Sequence, residues 1–192
     1  MAGSVPRHWT QFEYRSARGY LIDTLPLRIE LSGSPTPARI AALRTNALKP
    51  TAEMWRASIF AHGLGSCALG TELEVAPTEE QDFDCITRGV IGDTLHYNPL
   101  QIKELVPEDI NPHTSLQAEL GKLWKYSSSQ DLIVAFHLNR RFRLELAELV
   151  MPKTTVKEIW VFGAVTPDQS EFILWGDLLS NPMSYQFRYP GL

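Results

Sequence analysis

The chain has 192 residues, of which 44% are hydrophobic and 21% charged, a composition typical of a globular protein with one hydrophobic core. Lys plus Arg number 18 against 22 for Asp plus Glu, and the formal net charge of -4 argues against a protein that coats nucleic acid through an excess of cations. Two cysteines, no basic-then-apolar leader and no long apolar run predict a single soluble, cytoplasmic domain over residues 1–192, without a membrane partner.

The first two segments of the chain predict little regular structure. Residues 1–19 are polar with scattered aromatics, which fits either a flexible arm or an edge packed on the body. Residues 20–31 end in an alternation of apolar and polar residues, as a half-buried strand does, and Pro26 would confine such a strand to an edge. The sequence therefore predicts a peripheral strand ahead of the main fold.

Threonine beside proline marks the start of each of two predicted helices. The first runs over residues 38–48 and the second over residues 52–62, where apolar residues recur at helical spacing. Gly63 and Gly65 follow and should end the second helix.

Three predicted strands come next. Residues 71–76 alternate, with Glu72 and Glu74 on the polar face. Residues 83–87 and residues 100–106 are short apolar segments that carry polar side chains an ordinary core strand would not need. A turn-rich insert separates the last two strands, and its turn-forming residues are Gly89, Gly92, Asn98 and Pro99.

The remaining elements complete an alternation of helices and strands. Thr114 is predicted to cap a helix with one apolar stripe made of Leu116, Leu120, Leu123 and Trp124. Residues 131–138 are apolar on both faces, which predicts a central strand, and the intervening helix implies a parallel neighbour. A helix, two strands and a turn-rich end are predicted after it, in residues 144–150, 157–165, 171–174 and 181–192.

Polar side chains on the second and third of these strands suggest a chemical site. Gln101 and Lys103 share one face because side chains two apart on a strand project together, and Asp84 can lie near them if the two strands pair. A carboxylate, an amide oxygen and the main-chain oxygen of Ile102 would give hard-oxygen ligands suited to Mg²⁺ or Mn²⁺. Lys103 beside such an ion could orient or deprotonate a water for attack on a phosphodiester.

The same residues resemble a known family. Phe-Asp-Cys-Ile at 83–86 and Leu-Gln-Ile-Lys-Glu-Leu-Val at 100–106 resemble the core of the PD-(D/E)XK, or restriction-endonuclease-like, nuclease superfamily, although Phe83 stands where the family name has proline. The likeness covers about residues 51–138. It implies an α/β fold with a mixed central β-sheet flanked by helices. The expected α-β-β-β-α-β core occupies residues 36–138, and peripheral strands and a helix occupy residues 1–35 and 139–192.

The resemblance also implies roles for individual residues. Asp84 takes the position of the metal-binding acid and Lys103 that of the catalytic lysine, while Gln101 stands in the position usually held by Glu or Asp. Glu53 on the preceding helix is the expected second acid. The second choice for this acid is Glu72 or Glu74.

These residues together predict a metal-dependent nuclease that hydrolyses phosphodiester bonds in DNA, with a monomer and a homodimer both open. A phosphate grip after the central strand is predicted from Arg140, Arg141 and Arg143, although nearby glutamates fit a solvated charged face equally well. One alternative is a catalytically inactive member of the same fold that binds nucleic acid or a protein. Another is an unrelated α/β protein in which the polar hairpin is coincidental.

Overall fold

The computed structural model describes residues 5–33, 48–80, 82–126 and 131–192, and it has an α/β architecture. Within these residues one curled sheet contains β1 (Arg15–Ser16), β2 (Glu74–Pro77), β3 (Cys85–Ile91), β4 (Thr94–Leu105), β5 (Ile133–Leu138), β6 (Glu158–Ala164), β7 (Glu171–Gly176) and β8 (Met183–Arg188). The α-helices are α1 (Ala17–Gly33), α2 (Lys49–Gly63) and α3 (Leu116–Leu120). Short helical turns cover Arg7–Gln11, Leu64–Leu69, Leu123–Tyr126 and Leu146–Glu148.

The strands lie in the sheet in chain order, and the pairing is mixed. Neighbours are antiparallel except for β4 with β5 and β5 with β6, which are parallel. All six residues of β5 are buried, because helices and turns cover both faces there. The predicted central strand and its parallel neighbour are therefore confirmed.

Apolar side chains fill a core on each face of the sheet. Leu21 of α1 and Phe60 of α2 lie in the core of one face, and Leu120 of α3 and Leu123 lie in that of the other. Both cores share β5, whose alternate residues point into each. No helix of the described residues has the length and apolar content needed to cross a bilayer.

The strand predicted over residues 20–31 is wrong, because these residues belong to α1. Ala17 and Leu21 are fully buried and Leu25 packs beside them, so that one stripe at a spacing of four residues faces the core. This stripe outweighs the short alternation at the end of the segment. Pro26 lies inside the helix, where it removes one backbone hydrogen bond without ending the helix.

The helix predicted over residues 52–62 is confirmed as α2, and its α-helical part ends at Gly63 as predicted, whereas Gly65 lies inside the following π-helical turn. The chain continues as a π-helical turn to Leu69 and reverses at Gly70, which has a positive φ of 64°. A Cβ at Gly63 would lie 2.5 Å from the Phe187 ring, so this glycine permits close packing. The other predicted helix, at 38–48, falls outside the described residues except for its last position.

The turn-rich insert predicted within the hairpin is wrong. Gly89, Asn98 and Pro99 lie inside paired strands, and only Gly92 and Asp93 form the turn. Gly92 has a positive φ of 60°, as such short hairpin loops require. The result is one long hairpin in which β4 has 12 residues.

After β4, the structure differs from the prediction in three local features. The helix predicted at 144–150 is only a short 3-10 turn at Leu146–Glu148. The cap of α3 is Ser115 rather than Thr114, because the Ser115 hydroxyl accepts the Ala118 N–H. Trp124, predicted as core, is 71% exposed since the helix ends before it.

The sheet is larger than predicted. β6 and β7 are confirmed as strands, but they extend the central sheet beyond β5 rather than lying at its periphery. Residues 181–192, predicted to be turn-rich, contribute β8, whose Phe187 packs into the core. In β8, Met183, Tyr185 and Phe187 alternate with polar residues, but only Phe187 is buried.

Candidate functional site

The site lies at the start of β3, where the neighbouring strand β4 continues beyond the last residue that pairs with β3. The two strands pair from Cys85 opposite Leu100, so the β4 edge beyond Leu100 has no residue of β3 opposite it. Asp84 occupies this gap, since its N–H donates to the Leu100 carbonyl at 3.0 Å and its Oδ2 accepts the Ile102 N–H at 2.9 Å. The Asp84 side chain thus takes the place of the next main-chain hydrogen bond between the two strands. These hydrogen bonds hold the carboxylate in the plane of the sheet.

The side chain of Gln101 completes the set of hydrogen bonds around the Asp84 carboxylate. Its Nε2 donates to Asp84 Oδ2 at 2.6 Å and to the Ile102 carbonyl oxygen at 3.0 Å. Two acceptors on one amide nitrogen determine the orientation of the amide, because a rotation would place Oε1 against two oxygens. The structure therefore brings together the predicted carboxylate, amide and main-chain oxygen as one group, hereafter the Asp84 cluster (Asp84, Gln101 and Ile102).

The Asp84 carboxylate lies in a partly desolvated environment. Burial raises its pKa above the ordinary value, and hydrogen bonds from the Ile102 N–H and the Gln101 amide offset part of the rise. The charges of Lys103 and Lys49 act in the same direction as the hydrogen bonds. Among the described residues, Asp84 forms no ion pair, although the charges of Lys103 and Lys49 act on it.

Lys103 is half-buried and projects from the same face of β4 as Gln101. Its ammonium lies 5.6 Å from the centre of the Tyr126 ring, in a cation–π arrangement. Burial raises the pKa of the Tyr126 phenol, the charge of Lys125 lowers it, and the charge of Asp84 adds to the rise. Lys103 also lines a cavity of about 600 Å³ at the carboxyl end of β4, together with Glu104.

Glu53 reaches the same region from α2. It lines, with Asp84, a cavity of about 860 Å³ that also contains Glu79 and Glu80. Glu53 Oε1 lies 3.7 Å from the ammonium of Lys49, one turn earlier on the helix. The structure therefore places Glu53 and Asp84 on one cavity and Lys103 on another, with Gln101 between them on β4.

The second-choice acids have partners elsewhere. Glu72 accepts a hydrogen bond from the Ser16 hydroxyl on β1, and Glu74 is paired with Arg88 at 2.5 Å. Glu74 lies opposite Arg88 in the ladder, four residues along β3 from Asp84 and thus roughly 13 Å away. The structure does not bring these two acids to the Asp84 cluster.

Two of the three arginines predicted to bind phosphate have partners within the protein. Arg140 donates to the carbonyls of Thr114 and Asn111, which anchors the loop before α3. Arg143 forms an ion pair with Glu145 at 2.7 Å. Arg141 is exposed, and the side chain of Arg143 is also 90% exposed despite its ion pair.

Two neighbours of the site were not predicted. The Arg7–Gln11 turn covers one side of it, where Trp9 packs edge-on against Phe83 and donates to Glu80 at 3.1 Å. Tyr126 lies beside Lys103 on the other side. Nothing in the sequence pattern marks either aromatic, because both contacts join segments far apart in the chain.

The donors present suit a hard divalent cation. The described residues contain no group of three or more His, Cys, Asp or Glu side chains placed to hold a metal. The Asp84 cluster instead has one carboxylate and one main-chain carbonyl, whose oxygens are of the kind that Mg²⁺ takes, and a side-chain amide that turns its nitrogen toward them. Mg²⁺ usually keeps several waters, so few protein ligands suffice in chemical terms.

Comparisons of the chain with protein-family models, with curated proteins and with solved structures gave no match. The geometry of the described residues is therefore the basis for a functional assignment.

Proposed function

We propose that the protein is a metal-dependent nuclease of the restriction-endonuclease-like type, which hydrolyses phosphodiester bonds in DNA with Mg²⁺ or Mn²⁺. The observation that carries this proposal is the Asp84 cluster, in which a carboxylate, an amide and a main-chain carbonyl meet within 3.0 Å of one nitrogen, beside Lys103. Three of the residues that the sequence pattern singled out lie at one point of the fold.

The order and pairing of the elements around the cluster support the proposal. A helix, α2, precedes three antiparallel strands, β2 to β4, and α3 connects β4 to a parallel β5. This element order is consistent with the α-β-β-β-α-β core that the resemblance implies, and it forms part of a wider sheet. The site lies at the β3–β4 boundary, where such an enzyme would hold its acid and lysine.

The residues of the cluster would divide the work as follows. Asp84, the Ile102 carbonyl and the amide oxygen of Gln101 would hold the cation, and Glu53 could reach it through water across the shared cavity. The bound cation would polarise a phosphoryl oxygen and lower the pKa of a water. Lys103, held beside Tyr126, would orient that water or neutralise charge on the phosphate.

A second candidate function is a catalytically inactive member of the same fold that binds nucleic acid or a protein. The cluster contains a single carboxylate, because Gln101 stands in the place of the usual acid, and Glu53 lies beside Lys49. Fewer negative ligands weaken the binding of a divalent cation. A titration with Mg²⁺ or Mn²⁺ separates the two functions, since the binding module should take up neither ion.

Cleavage of linear, nicked and single-stranded DNA tests the nuclease. The wild type with Mg²⁺ or Mn²⁺ should cleave at least one of these substrates, whereas Asp84→Ala and Lys103→Ala should not. Matched controls are Asp93→Ala in the hairpin turn and Lys122→Ala on an exposed turn, which should cleave as the wild type does. Equal cleavage by the wild type and both site variants would refute the proposal.

A further inference from the structure

The amide nitrogen of Gln101 lies at the point where two oxygens converge. Asp84 Oδ2 is 2.6 Å from it and the Ile102 carbonyl oxygen is 3.0 Å from it. Both oxygens are held independently of Gln101, because the Ile102 N–H fixes Asp84 Oδ2 at 2.9 Å and β5 fixes the backbone of Ile102. A donor at this point thus faces a preformed pair of hard oxygen ligands.

We propose that Gln101 is a positioning residue that acts as a placeholder for the divalent cation, and this inference rests on the proposed metal-dependent function. Its amide N–H groups hold the Asp84 and Ile102 oxygens in the protein without a cation. If Mg²⁺ or Mn²⁺ binds, the amide would rotate so that Oε1 takes the place of Nε2 and could serve as a ligand. Oε1 would then lie about 2.6 Å and 3.0 Å from the other two oxygens, a spacing that suits neighbouring oxygen ligands of one Mg²⁺.

The placeholder gives a physical reason for glutamine at a position usually held by an acid. Glu at position 101 would bring a second carboxylate within hydrogen-bonding distance of Asp84, in a region where burial already raises the pKa of that carboxyl. Like charges at that distance destabilise the protein until a cation joins them. Glutamine avoids this repulsion because its amide offers a donor without the cation and an acceptor with it.

A second amide–carboxylate pair on β4 supplies a matched control. Asn139 Nδ2 donates to Glu104 Oε1 at 2.8 Å, and Arg56 pairs with the other oxygen of Glu104 at 2.7 Å. Asn139→Asp makes the same chemical change as Gln101→Glu, an amide to an acid beside an existing carboxylate. A cation is already supplied there by Arg56, so Mg²⁺ should have no specific effect.

Thermal unfolding with EDTA and with saturating Mg²⁺ at mildly alkaline pH tests the proposal. In EDTA, the Tm of Gln101→Glu should fall by about 5 °C relative to wild type. Saturating Mg²⁺ should recover this loss and raise the Tm of Gln101→Glu more than it raises that of wild type. Asn139→Asp should show the wild-type response to Mg²⁺. An unchanged Tm of Gln101→Glu in EDTA, or a loss that Mg²⁺ does not recover, would overturn the placeholder.

A measurement on the wild type covers the case in which Gln101→Glu does not fold. The side-chain ¹⁵N–¹H signals of Gln101 should show slow hydrogen exchange without Mg²⁺, and Mg²⁺ should shift them and accelerate the exchange. The Asn139 signals should stay unchanged. Unchanged Gln101 signals in a protein that binds Mg²⁺ and cleaves DNA would overturn the placeholder while the nuclease stands. If Mg²⁺ shifts the Gln101 signals but the protein leaves all DNA intact, the nuclease is refuted and the placeholder is supported.

Discussion

Two polar clusters lie on β4, and they differ in how their charge is balanced. The Asp84 cluster holds its carboxylate with a backbone N–H and a neutral amide, beside a cavity of about 860 Å³. The second cluster, hereafter the Glu104 cluster, contains Glu104, Arg56 and Asn139 with His137 beside them. In it, Arg56 pairs with Glu104 at 2.7 Å, and their side chains are only 16% and 21% exposed.

The contrast distinguishes a structural carboxylate from one available to a ligand. Glu104 has its counter-charge within the protein, so it stabilises the contact between β4 and α2 and has little to offer a metal. Within the described part of the chain, the direct partners of Asp84 are hydrogen bonds from uncharged groups, and the charges of Lys103 and Lys49 act on it at longer range. Residues three positions apart on one strand thus serve different purposes, because Gln101 and Glu104 point to opposite faces of the sheet.

Replacing the carboxylate of each cluster with the corresponding amide should give the largest difference in DNA cleavage between the two clusters. Asp84→Asn should lower DNA cleavage by about 10²–10⁴-fold, because it removes the only carboxylate of the Asp84 cluster. Glu104→Gln should cleave within about 3-fold of the wild type, since Glu104 faces the other side of the sheet. Steady-state cleavage rates measure both. Similar losses in the two variants would show that the clusters do not differ in function.

Removal of the cation of the Glu104 cluster should affect stability. Arg56→Met leaves Glu104 without its counter-charge, and we expect the free energy of unfolding to fall by about 2–3 kcal/mol. Lys103→Met, which removes the cation beside the Asp84 cluster, should cost less than about 1 kcal/mol. Urea unfolding monitored by circular dichroism measures both values. A larger loss for Lys103→Met would reverse the structural assignment of the two clusters.

The pH dependence of stability should report on His137 in the Glu104 cluster. Burial lowers its pKa from 6.5 to about 4, the charge of Glu104 offsets part of this, and that of Arg56 adds to it. The unfolded chain therefore binds a proton below pH 6.5 that the folded protein does not bind until about pH 4. Stability should fall as the pH drops through this window, by about 2 kcal/mol at pH 5.

His137→Phe should remove that contribution while keeping an aromatic ring against Phe162, which stacks on His137 at 4.9 Å. Urea unfolding near neutral pH and at about pH 5 gives the comparison. If the stability difference between the two pH values is the same for wild type and His137→Phe, then His137 does not supply the pH dependence.

The smallest expected effect concerns DNA affinity near the Asp84 cluster. The ammonium of Lys125 lies 5.0 Å from the Tyr126 ring that also contacts Lys103. If the proposed nuclease binds DNA at this site, Lys125→Ala should weaken the binding a few-fold and reduce the salt slope of the affinity by about 0.7–0.9, because the variant would lose one phosphate contact. Lys122→Ala is the matched control, since its ammonium pairs with Glu119 at 2.5 Å. Equal effects of the two variants on affinity would argue against a specific contact of Lys125.

Local patterns predicted the parts of the fold in which each residue's environment follows from its immediate neighbours. β5 is apolar on both faces and is buried throughout, and α2 shows apolar residues at helical spacing. The alternation of apolar and polar residues at the end of residues 20–31 gave a wrong prediction of a strand. The packing of Ala17 and Leu21 against the core stabilises the helix α1 instead. β8 was not predicted, although Met183, Tyr185 and Phe187 alternate with polar residues as in a half-buried strand.

The sequence by itself determined that Gln101 and Lys103 are candidate site residues on one face of β4, because side chains two positions apart on a strand project together. Only the tertiary structure decided that Asp84 fills the gap beyond the start of β3 and that the Gln101 amide joins it to the Ile102 carbonyl. It also separated Glu53, which shares the Asp84 cavity, from Glu74, which is paired with Arg88. These relations depend on strand register and on contacts between distant segments, and neither follows from the order of residues along one strand.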